Sequence, residues 1–188
     1  HTFMAVAAGE QDFVQYVVAA ETVSGIGKGS PSPMIAVGKP YAGLHESFAD
    51  GLTSYRWSME SVIGGDVRLY KDTTFPNIAS QDSDNGYVGV FAAEEGTGAS
   101  LVSGLVSLAG GTDPYFSIWT YNLGGGADRD NIVKVDVMPA EHSRWTNVYA
   151  GTVSSIAGGS PGWVNLTLPL AEYAGSTLQV RVTALSTD

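Results

Sequence analysis

The sequence predicts an all-β fold of sandwich or barrel type, on three observations. Apolar side chains recur with a period of two in runs spread along the 188 residues, the spacing of a sheet with one buried face. Clusters of Gly, Pro, Asn, Asp and Ser separate those runs, and many short strands between such turns favour sandwiches and barrels. Charged residues are 15% of the chain against ~25% in a usual soluble domain. Helix surfaces draw on Glu, Lys and Arg, whereas sheets show Thr, Ser, Val and Tyr on their outer faces.

In chain order, strands are expected around 2–7, 13–21 and 33–38, with Val14, Tyr16 and Val18 sharing a face of the second. The Gly- and Pro-rich stretch 25–33 is a loop. A boundary is expected near Lys39, Pro40 and Tyr41, dividing the chain into 1–40 and 41–188. Three short strands leave a sheet face to be covered, and a unit of about 40 residues without disulfide or metal is marginal. Residues 1–40 therefore either pack on the larger segment 41–188 or form the tail of another domain. Further turns are expected at 84–86, 110–114, 124–126 and 158–162. The run 132–137 sets Val133, Val135 and Val137 opposite Lys134 and Asp136. The run 163–170 sets Val164, Leu166, Leu168 and Leu170 opposite Trp163, Asn165 and Thr167. The run 178–184 sets Leu178, Val180, Val182 and Ala184 opposite Gln179, Arg181 and Thr183. No amphipathic helix of three turns is expected, and 171–175 has room for one short turn.

Composition removes several function classes. The absence of cysteine excludes disulfides, thiolate metal sites and a cysteine nucleophile. Net charge is −10, with no basic cluster to offset it. DNA, RNA and anionic lipid are repelled by such a field, so no nucleic-acid partner is expected. The acidic excess serves either solubility or divalent cations. No run approaches the roughly 18–20 apolar residues of a membrane span, so no membrane insertion is expected. The opening residues lack the basic start and apolar run of an export signal; an exported protein of this type would carry its signal outside these residues.

The catalytic motifs fail on context. Ser160 completes a G-x-S-x-G pattern over 158–162, but a nucleophile elbow needs a strand before it and a helix after it, and here a strand begins at Trp163. The histidines, His1, His45 and His142, lie in no α/β pattern. Residues 25–30 lack the Ser or Thr that succeeds the lysine of a phosphate loop. Glu94 and Glu95 are neighbours, so on a strand they point to opposite faces and do not share one substrate as acid and base. The chain is expected not to be an enzyme.

Two ligand classes remain. Asp82 and Asp84 supply oxygen donors at alternate positions, a pattern that suits calcium; the other reading is a turn whose Asp and Asn bond their own backbone. Tyr55, Trp57, Tyr70, Tyr87 and Tyr149 have no assigned packing position. Rings exposed together would stack on the C–H faces of sugars, and Tyr55, Trp57 and Tyr87 are the candidates. Asn165, Leu166 and Thr167 fit an N-glycosylation acceptor pattern, expected inside a strand.

Two segments resemble known families. Tyr16, Val18 and Ala20 form Tyr-x-Val-x-Ala, followed by a Gly/Ser loop and the run 32–38, and this resembles the last strands of a fibronectin type III domain. The order Lys39-Pro40-Tyr41, Glu46-Ser47-Phe48, 103–108, 114–121, 130–137, Trp145-Thr146-Asn147, Gly162-Trp163, 170–175 and 178–184 resembles the cleaved-adhesin, or choice-of-anchor J, jelly rolls, relatives of the MAM domain found in surface proteins of Bacteroides-type bacteria. That family has a Trp-rich Asp/Gly segment after its opening, matched here only by Tyr55, Arg56, Trp57 and Ser58. It also ends in a further acidic strand that these residues do not include. The resemblance implies a jelly-roll β-sandwich over 41–188, preceded by a partial type III-like segment, and places Trp119, Tyr121, Trp145 and Trp163 at core or sheet-face positions, with packing the favoured role. It implies that Glu46 helps hold a structural calcium ion. It further implies a non-catalytic binding or adhesion module, secreted or at the cell surface, that contacts glycan or an extracellular protein. The alternative is an architectural spacer or an accessory module of an exported hydrolase.

Overall fold

The computed structural model describes residues 11–17, 21–27, 29, 32, 34–52, 56–62, 64–70, 78–82, 86–92, 94–122, 131–157 and 161–187. The strand expected at 2–7 and the turn at 124–126 lie outside them. The described residues form an all-β sandwich.

Its larger layer is a six-stranded antiparallel sheet. The strands are β5 (Trp57–Val62), β8 (Gly98–Ser103), β9 (Val106–Ser107), β11 (Ile132–Pro139), β12 (Thr146–Thr152) and β14 (Thr177–Leu185), in the order β12-β11-β14-β8-β5 with β9 on β14. The last strand thus lies at the centre, paired with partners distant in sequence. The period-two pattern explains why it is tolerated there. Val180 and Val182 face inward opposite Val137 and Val135, while Gln179, Arg181 and Thr183 face outward opposite Met138, Asp136 and Lys134.

The second layer is built by β10 (Tyr115–Asn122) and β13 (Gly162–Pro169), paired over eight residues. Phe116, Leu166 and Leu168 from this pair pack on a core of Val135, Val137, Leu170, Leu178 and Val180. Val135 and Val137 are wholly buried, so the two layers close on each other with interior-like packing. A further pair, β6 (Asp66–Tyr70) and β7 (Tyr87–Phe91), touches β8. A short helix, α1 (Val153–Ala157), was not expected from the sequence. It starts after Thr152, whose Oγ1 accepts from the Ser155 N–H (3.2 Å) as an N-cap does. Residues Ala171–Tyr173 make the expected short turn, of 3-10 type.

The outward face of the larger sheet also carries buried groups, and they are satisfied. Ser100 and Thr183 share a 2.7 Å hydrogen bond, and Gln179 Nε2 donates to the Ser103 carbonyl (2.7 Å). A register shift between Val135 and Asp136 sets Asn147 opposite Asp136. Asn147 Nδ2 then donates to Asp136 Oδ1 (2.9 Å), and Arg181 donates through Nε and Nη2 to Oδ2 (3.1 and 2.9 Å). The same guanidinium lies 4.6 Å over the Trp145 ring, a cation–π contact.

At the amino-terminal end, β1 (Asp12–Val14) pairs with β4 (Ile35–Val37), and β2 (Glu21–Thr22) with β3 (Gly25–Ile26). Strand β1 is far shorter than the 13–21 run predicted. Phe13 and Ala36 are buried on one face of the β1–β4 pair. Gln11 fixes this pair to the sandwich. Its Nε2 donates to the Leu105 carbonyl and its Oε1 accepts from the Leu105 N–H, both at 2.6 Å. Tyr41 continues the attachment as a parallel bridge to Val106.

Candidate functional site

Of the predicted residues, Glu46 and Trp57 meet directly, and Tyr87 follows Gly86, which lies against the turn at Phe48 beside them. Glu46 accepts from the Phe48 N–H through Oε1 and from Trp57 Nε1 through Oε2, both at 3.0 Å, and Arg56 Nη1 lies 3.7 Å from Oε2. This carboxylate is nearly buried, its side chain 11% exposed. Phe48 sits in the left-handed region at φ 60 and stacks obliquely on Trp57, ring centroids 6.2 Å apart. The strained turn is held by its neighbour. A Cβ added to Gly86 would overlap the Phe48 carbonyl and lie 2.8 Å from the Ala49 nitrogen.

Gly86 leads directly into Tyr87, which is 8% exposed. Tyr87 meets the Trp163 ring edge-on at 6.1 Å, and Trp163 meets Tyr121 in the same manner at 5.2 Å. Trp163 Nε1 donates to the Ala79 carbonyl (2.8 Å), and exposed Asp82 comes three residues later. Tyr55 and Asp84 lie outside the described residues. Among the described residues, no three His, Cys, Asp or Glu side chains group together as metal ligands would. The Glu46 oxygens face two N–H donors and a guanidinium, a donor set that does not fit a calcium ion, which requires further oxygens.

Two rings presented to solvent, Tyr115 and Trp119, stand together on the outer face of the β10–β13 pair. Alternation along β10 turns Phe116 inward to the core and Tyr115, Ser117, Trp119 and Tyr121 outward. Their partners across the pair are Pro169, Thr167, Asn165 and Trp163. Tyr115 is 67% and Trp119 45% exposed, contrary to the packing role the resemblance implied for Trp119. The two are four residues apart on one face, so their Cα atoms are separated by about 13 Å. Between and beside the rings lies a hydrogen-bonded polar group. Asn165 Nδ2 donates to Ser117 Oγ (2.9 Å), and Thr167 Oγ1 donates to Asn165 Oδ1 (2.6 Å). At the far end, Tyr121 and Trp163 are only partly exposed, beside the segment carrying Ala79.

Neither family models nor curated proteins match this chain.

The outer-face residues had a readable signal. Tyr115, Ser117, Trp119 and Tyr121 alternate with Phe116, Ile118 and Thr120, and both sets contain apolar side chains, so periodicity alone leaves the buried face open. The partner strand decides it. Asn165 and Thr167 are polar and Val164, Leu166 and Leu168 are not, and antiparallel register fixes which set of β10 stands beside each.

Proposed function

We propose that this chain is a non-catalytic binding module that holds carbohydrate on the outer face of the β10–β13 pair. The observation that carries the reading is the co-facial exposure of Tyr115 and Trp119 around the Ser117–Asn165–Thr167 group. A pyranose ring has an apolar C–H face and a polar rim of hydroxyls. An aromatic face, with its negative quadrupole, attracts the weakly positive C–H hydrogens, while fixed hydroxyl and amide groups meet the rim. Ser117 accepts from Asn165, and as a hydroxyl it also carries a proton of its own to donate. The paired strands fix the backbone beneath these groups, which lowers the ordering cost on binding.

The jelly-roll kinship, placement outside the cell and service to a larger adhesin or exported hydrolase belong to the same reading. The central position of β14 between β8 and β11, a long-range crossover, supports that kinship. Binding to an immobilised glycan panel, with Trp119→Ala as control, tests the function. Retention of the wild type and loss in the variant is the expected result. A folded wild type that binds no glycan would favour the architectural spacer.

A further inference from the structure

Resting on that reading, we infer that the face selects an extended, uncharged polysaccharide lying along β10, with Tyr115 and Trp119 as separate stacking positions.

Three features define the ligand. The first is charge. Neither β10 nor β13 contains Asp, Glu, Lys or Arg, so the face offers no cation to a uronate, sulfate or phosphate. The chain as a whole carries −10, which repels such groups at long range. A polyanionic glycan would lose its hydration without gaining an ion pair. A neutral one suffers neither cost.

The second is shape. Tyr115 and Trp119 belong to one strand and one face, so they present a line of contacts and not a pocket around a single sugar. A ligand that stacks on both must keep its ring faces parallel to the sheet over about 13 Å, roughly the reach of three linked pyranoses. Equatorially linked chains such as β-1,4-glucan, xylan or mannan are flat ribbons of this kind; coiled α-linked chains are not.

The third is the polar middle. Ser117 and Thr167 lie between the two rings, Asn165 stands opposite Trp119, and all three are exposed. They are positioned for the hydroxyls at the edge of the ribbon. At the other end the Ala79 carbonyl bonded to Trp163 leaves the Tyr115 side of the face as the more open one.

The test is gel retardation of the whole protein in native gels cast with one polymer each: hydroxyethyl cellulose, xylan, β-mannan, dextran, polygalacturonate or heparin. It is followed by calorimetry with oligosaccharides of increasing length from the best polymer. The expected result is retardation by at least one flat neutral polymer, unchanged by added salt. Trp119→Ala and Tyr115→Ala should each weaken it about tenfold, a loss of one stacked ring, with unaltered thermal unfolding. Affinity should rise steeply from the disaccharide to the trisaccharide or tetrasaccharide. Retardation by polygalacturonate or heparin, or by dextran alone, that is lost in Trp119→Ala would overturn this selection while leaving the carbohydrate reading intact. Equal affinity for a disaccharide and longer chains would do the same. No retardation by any polymer, or retardation that both variants keep, would overturn the reading and the selection together.

Discussion

Two tryptophan-bearing sheet surfaces of this molecule are put to different use. On the six-stranded sheet, Trp145 lies under the Arg181 guanidinium, which is bonded twice to Asp136, itself bonded to Asn147. On the β10–β13 pair, Trp119 stands 45% exposed beside Asn165. Both surfaces combine an indole with polar neighbours, and a count of residue types would rank them equally. In the first the ring face and the charges are already engaged with each other, and an arriving ligand would have to break those contacts. In the second the polar groups are fixed to one another at the strand surface and the ring faces stay open. What marks a binding face is therefore unused capacity, not aromatic content. The same test removes Trp57, whose indole N–H is bonded to Glu46, and Trp163, whose indole N–H is bonded to the Ala79 carbonyl.

The largest expected effect comes from dismantling the engaged surface. Arg181→Ala leaves Asp136, its side chain 10% exposed, without its cation, and removal of one partner of a nearly buried pair costs about 3 kcal/mol. Chemical denaturation should show that loss at neutral pH, while retention by glycan in native gels stays as in the wild type. A variant that unfolds normally but no longer binds would mean that the Arg181 surface, and not the β10–β13 face, meets the ligand.

The Glu46 corner should give a smaller effect. Glu46→Ala orphans the Trp57 and Phe48 N–H groups and removes one ion-pair contact of Arg56, which costs roughly 1–2 kcal/mol. Glu46→Gln keeps one accepting oxygen and should recover part of it. Because this carboxylate is engaged by donors, adding calcium should leave the melting temperature of the wild type unchanged. A rise in melting temperature with calcium that Glu46→Ala abolishes would return the corner to the metal-site reading. Stability should change least on the open face: Trp119→Ala and Tyr115→Ala are expected to stay within about 0.5 kcal/mol of the wild type.

Much of the sandwich was legible in the sequence, and the reason is the strictness of the two-residue period. The expected strands at 132–137, 163–170 and 178–184 agree with β11, β13 and β14 to within two residues at their ends, because each alternates cleanly between aliphatic and polar side chains. The short strand β1 departs from its predicted 13–21 run, where successive Val, Tyr and Ala residues favour extended backbone without choosing a face. The candidate site was less legible. Tyr87 is aromatic and succeeds a turn, features that exposed and buried rings share; only the ring contact with Trp163 shows that it is packed. The outer face of β10 depends on its register with β13, a pairing across 40 residues or more of chain that no local pattern encodes.

The smallest contrast lies at the seam between the layers, at Tyr173. This phenol is partly buried against the core cluster, and burial, reinforced by the adjacent Glu172 charge and a hydrogen bond to it, raises its pKa above the ordinary 10.0. The protonated form is thus favoured in the folded chain. Below the unfolded value near pH 10 both states hold the proton, and the contribution of Tyr173 is fully present. As pH rises from there through the raised folded value, the unfolded chain releases the proton first, and stability falls. Tyr173→Phe cannot ionise. The wild type should therefore lose melting temperature between pH 9 and pH 11 by more than Tyr173→Phe does, in a scan run at constant ionic strength. Parallel curves for the two proteins would show that this ring is no more shielded from water than those of the open face.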